Sequence, residues 1–121
     1  MDKLELHSYA VSLISHGGAR GRPGAIIHAR SGTAAGPAAD VYLRFYRPDV
    51  VPPSNRRVVG EDGKLMLVVA YPYEQLAAAV DLLRHEKPVY FSFDERRETG
   101  YLATGDEPVG EGEQDADFGR A

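Results

Sequence analysis

One segment of this 121-residue chain carries helical periodicity. Leu76, Ala79, Val80 and Leu83 recur at the spacing of an α-helix and define a single apolar stripe. Pro72 and Glu74 suit a first turn, Arg84, His85 and Lys87 suit a last turn, and Pro88 prevents continuation, so the pattern predicts one amphipathic helix over about residues 72–87. The remaining apolar residues alternate as in strands. One helix buries one stripe and cannot cover both faces of a sheet. Either the sheet curls on itself, or one face stays open to water, to a partner or to another copy of the chain.

The clearest strand is Val41 to Arg47. Val41, Leu43 and Phe45 point one way and Tyr42, Arg44 and Tyr46 the other, which predicts one buried face. Pro48, Pro52 and Pro53 make the following connection irregular. Leu4 to Ser15 is a half-apolar run whose alternation slips partway, as in a bulged strand. Ala25 to Arg30 reads as a short strand carrying Ile26, His28 and Arg30 on one side. Val58 and Val59 lead into Gly60-Glu61-Asp62-Gly63-Lys64, where Asp62-Gly63 supplies tight-turn chemistry, and the returning run Leu65 to Ala70 is apolar throughout. Such a run implies burial on both sides and a central place in the sheet. Val89 to Asp94 alternates, and Tyr101 to Ala103 gives a last short strand. The order predicts an α+β domain spanning 1–104, an antiparallel curved sheet or open barrel of about six to seven strands with one helix. The Gly-rich acidic stretch 105–121 holds too few apolar residues to offset its ordering entropy and is expected to be disordered.

Composition narrows the function classes by exclusion. With no Cys, thiolate catalysis, disulfides and cysteine-based metal sites are ruled out. His7, His16, His28 and His85 lack metal-ligand spacing, so neither a metal nor another cofactor is expected. No Gly-x-Ser-x-Gly elbow is present. The glycine-rich stretch 17–24 leads into a strand and lacks the Lys-Ser/Thr of a phosphate loop. These features argue against an enzyme. The chain opens without a signal-peptide pattern and contains no run of about 18 apolar residues, which points to a soluble cytoplasmic protein with no membrane partner.

Charge is unevenly spread. Residues 1–60 hold eight bases against four acids, while 105–121 hold six acids against Arg120. Within the basic half, Tyr42, Arg44 and Tyr46 share a strand face that His28 and Arg30 extend on a neighbouring strand and Arg20 and Arg22 in the loop before it. Aromatic rings stack on unpaired bases and Arg engages phosphate, so this pattern points to single-stranded nucleic acid or another polyanion as the ligand. A homo-oligomeric structural or protein-interaction domain is the alternative. Tyr and Arg are also enriched at protein interfaces, and Tyr42 to Arg47 or Val89 to Asp94 would serve as the self-pairing edge.

Overall fold

A computed structural model describes residues 2–15, 21–32 and 38–106. Seven strands and one helical segment follow in the order β1 (Asp2–Leu13), β2 (Ala25–Ser31), β3 (Ala39–Tyr46), β4 (Arg56–Val59), β5 (Leu65–Pro72), α1 (Leu76–His85), β6 (Val89–Asp94) and β7 (Thr99–Thr104). The strands form one curled sheet, a half-barrel, in the spatial order β4-β5-β3-β2-β1-β6-β7. The first three strands are a meander at its centre. The second half of the chain supplies a hairpin on each flank, β4-β5 beside β3 and β6-β7 beside β1, and α1 joins the two.

Five of the six strand pairs are antiparallel, but β3 and β5 run parallel in register from Ala39↔Leu65 to Tyr46↔Pro72. The expected all-antiparallel sheet is therefore mixed. Its cause is topological: the chain leaves β3, traverses residues 47–55 and makes β4 before returning, so the strand that docks on β3 is the second arm of the hairpin. That arm, β5, lies next to the edge rather than at the centre. Its double-sided burial holds nonetheless, since Leu67, Val68 and Val69 are all buried.

Register on β1 shifts between Leu6 and Ser8, so His7 is the extra residue of a bulge. The bulge is what lets Leu4 and Leu6 before it and Tyr9 after it pack against the same core. At the β4-β5 turn, Gly63 takes φ of +80° and donates its N–H to the Gly60 carbonyl, while the Asp62 carboxylate accepts from the Lys64 N–H. The φ value explains the need for glycine there.

The helical segment opens with a 3-10 turn, Tyr73–Gln75, and continues as α1 proper, Leu76–His85. Pro72 ends β5 and sits just outside, so the helix is shorter at both ends than its sequence pattern suggested. Leu76, Ala79, Val80 and Leu83 pack on the inner face of the sheet. Beneath them Ala25, Ile27, Val41, Leu43, Phe45, Leu67 and Phe91 are fully buried. Each large side chain in this set contributes about 1.5–3 kcal/mol through removal from water. Gly100 on β7 lies close over this core: a Cβ there would meet Phe91 Cζ at 2.6 Å and Val69 Cγ1 at 3.1 Å. Tyr71 Oη donates to the Gly100 carbonyl at 3.4 Å, and Asn55 Nδ2 donates to the Glu98 carbonyl at 2.9 Å, drawing β7 toward β5 across the opening of the half-barrel. Burial pushes the Tyr71 phenol up to about 12.

Candidate functional site

The outer face of β2, β3, β5 and β4 is built from residues that alternate away from the core. Cross-strand register sets them in rows. His28 stands opposite Tyr42, Tyr42 beside Val68 and Val68 opposite Arg56; one row further, Ile26 stands opposite Arg44, and Arg44 beside Ala70. The His28 and Tyr42 rings are stacked, with centroids 4.4 Å apart and planes 12° from parallel. Arg30 stands opposite Asp40 in the next row.

Asp40 organises this surface. Its carboxylate, 13% exposed, meets His28 Nε2 at 2.8 Å, Lys64 Nζ at 2.8 Å and Arg30 Nε at 3.6 Å. A carboxylate only accepts, so the short contact requires His28 to carry its proton on Nε2 and leaves Nδ1 as the acceptor of the neutral ring. Partial burial pushes the Asp40 carboxyl upward, but the hydrogen bonds from Lys64 and His28 outweigh it and hold the group below the usual carboxylate range. The same contact holds the Lys64 ammonium above its ordinary value. Arg44 has its Nε buried with no hydrogen-bond partner, and among the described residues it makes no ion pair. Four cationic side chains (Arg30, Arg44, Arg56 and Lys64) therefore share the face with one carboxylate.

Of the residues singled out from the sequence, Tyr42, Arg44, His28 and Arg30 come together on this face. Tyr46 does not contribute an accessible ring. It is 5% exposed, so the expectation that its phenol lies open on the face is corrected: β3 is covered on both sides at its C-terminal end, where Phe45 is buried as well. Arg22 is exposed in the segment that leads into β2, at the opposite end of that strand from Arg30. Arg20 and the acidic stretch from 107 onward lie outside the described residues. Asp40, Lys64 and Arg56 were missed by the strand pattern. Asp40 stands just outside the Val41–Arg47 alternation, and the other two reach the face only through the β3-β5 pairing.

The proposed self-pairing strands are also corrected. Val89–Asp94 is flanked by β1 and β7, and Tyr42–Arg47 lies largely within β3, flanked by β2 and β5, so neither is an edge. A separate cleft of about 350 Å³ lies between β1 and the C-terminal turn of α1, where His7, Tyr9, Arg84 and Lys87 are among its lining residues. Among the described residues no three His, Asp or Glu side chains converge as a metal ion requires, and no helix is long and apolar enough to cross a membrane. No family model, curated protein or solved structure matches this chain. Its chemistry is therefore read from the outer face itself.

Proposed function

We propose that this chain is a non-enzymatic binding domain whose outer sheet face takes a polyanion, and that the ligand is single-stranded nucleic acid. One observation carries the reading: four cationic side chains and one carboxylate surround a stacked His28-Tyr42 pair on a continuous strand surface. Phosphates meet Arg30, Arg44, Arg56 and Lys64, and a base extends the stack that the imidazole and phenol begin. Such base-aromatic stacking is worth about 1–3 kcal/mol per base. Asp40 fixes the geometry by holding His28 and Lys64 in place, at the cost of one opposing charge.

Fluorescence anisotropy with a labelled oligonucleotide over a salt series tests this. Affinity should fall steeply with salt, in proportion to the phosphates neutralised, and drop about tenfold in both Tyr42→Ala and Arg44→Ala. A parallel titration with inorganic polyphosphate separates charge from stacking: equal binding that ignores Tyr42→Ala would leave a polyanion site without base recognition. No binding at low salt, both in the full chain and in one ending at Asp106, would remove the reading altogether.

A further inference from the structure

Gly105 closes β7 by donating its N–H to the Pro88 carbonyl, which fixes the point from which residues 107–121 set out. Register traces one row across the sheet from there. Thr104 stands opposite Val89, Val89 opposite Leu6, Leu6 opposite Ser31, Ser31 opposite Ala39, and Ala39 beside Leu65. Arg30, Asp40 and Lys64 are the immediate chain neighbours of that row. The chain therefore leaves the sheet at the same end where Asp40 gathers Arg30 and Lys64. With strands about 4.8 Å apart, β2 lies about 15 Å and β5 about 25 Å from β7 along the sheet.

Residues 107–121 complement that surface in charge and reach it in length. They hold five acids, Glu107, Glu111, Glu113, Asp115 and Asp117, against Arg120. The outer face has the opposite imbalance, with Arg30, Arg44, Arg56 and Lys64 against Asp40, and Arg44 Nε is buried without a hydrogen-bond partner. These fifteen residues span up to about 50 Å when extended, roughly twice the path to β5. Cations nearer the exit are already balanced: Arg97 lies 3.9 Å from Asp94, and Arg84 and Lys87 share their cleft with Glu5 and Glu86. A tethered segment meets its target at a local concentration on the order of millimolar, so ion pairs too weak to hold a free peptide suffice.

We propose that residues 107–121 dock on the outer face of β2, β3, β5 and β4, their carboxylates meeting Arg30, Arg44, Arg56 and Lys64, and that they compete there with the polyanion. An incoming strand must displace this built-in competitor, which rejects weakly charged ligands and admits long polyanions. The docking stands on charge and reach alone. The competition rests on the nucleic-acid reading, so the two are measured separately.

The absence of Cys allows a nitroxide to be carried by full-length Ala116→Cys alone. Paramagnetic broadening should be strongest at the amides of Arg30, Tyr42, Arg44 and Lys64 and should fade by about 0.5 M salt, where exposed ion pairs are screened. Replacing the five acids by Gln or Asn should abolish it, as should Arg44→Glu with Arg56→Glu. Arg84→Glu with Lys87→Glu should leave it in place. In a second arm, the full chain with its five acids neutralised should bind the labelled oligonucleotide about tenfold more tightly at low salt, with the gain vanishing as salt rises. Broadening that is absent, or centred on Arg84 and Lys87, overturns the docking, and an affinity indifferent to the five acids overturns the competition. Broadening at the face with no oligonucleotide binding at all upholds the docking and removes the nucleic-acid reading. Binding that depends on Tyr42 and Arg44 without broadening at the face upholds that reading and removes the docking.

Discussion

The two faces of this sheet are made by the same strands yet follow different rules. On the inner face the side chains at Ile27, Leu43, Leu67 and Phe91 are sealed by α1, and what matters is volume. On the outer face the same strands carry His28, Tyr42, Asp40 and Arg44, and what matters is which charge meets which. Strand alternation thus separates packing from charge at one-residue resolution. An outer-face substitution that leaves the ion pairs of Asp40 intact should leave stability nearly untouched.

The most severe way to probe that separation is Phe91→Ala. It should destabilise the fold by about 3–5 kcal/mol in denaturant unfolding, because the fully buried ring leaves a cavity that the curled sheet cannot close. Tyr42→Ala, on the outer face, should cost no more than about 1 kcal/mol, the scale of a cross-strand pair, and should register in the binding assay instead. Equal losses for the two variants would erase the distinction. Gly100→Ala should cost about 1–3 kcal/mol through overpacking, since the added methyl meets Phe91 and Val69.

Asp40→Asn sharpens the comparison because its two effects have opposite sign. Stability should fall, as Lys64 and Arg30 lose their shared counter-charge, while oligonucleotide affinity rises. The parent carboxyl is held below its unfolded value, so its contribution to stability is present above about pH 4 and is lost as pH falls through the folded value. The Asn variant should lack that part of the acid slope. At the alkaline end, Tyr71 ionises near 10 in the unfolded chain and near 12 in the folded one. Its contribution is intact below pH 10 and declines between about 10 and 12, by at most about 1.4 kcal/mol per unit. Tyr71→Phe should flatten that limb.

Features that depend on neighbours in sequence were legible before any coordinates. The slip in the Leu4–Ser15 alternation is the bulge at His7, the Asp62-Gly63 pair is the hairpin turn, and Leu76, Ala79, Val80 and Leu83 are the packed stripe of α1. Helical spacing alone likewise brings His85 Nε2 to 3.5 Å from the Asp81 carboxylate, four residues earlier on α1. Features that depend on distant pairing were not. Nothing in Leu65–Ala70 announces that β5 runs parallel to β3, and the arrival of Lys64 and Arg56 beside Tyr42 follows from that pairing alone. Tyr46 misled for the same reason: its alternation places it on the outer side, and only the packing at the end of β3 buries it.

The flanking of a central meander by two later hairpins has a consequence for synthesis. When residues 1–46 leave the ribosome, Ile27, Leu43 and Phe45 are already aligned in sequence for one face, but the helix that shields them and both strands that brace them have yet to be translated. The nascent first half has no native partner of its own. It must remain open until the second half arrives on both flanks, so the window in which these side chains stay exposed is set by the rate of elongation rather than by the rate of folding.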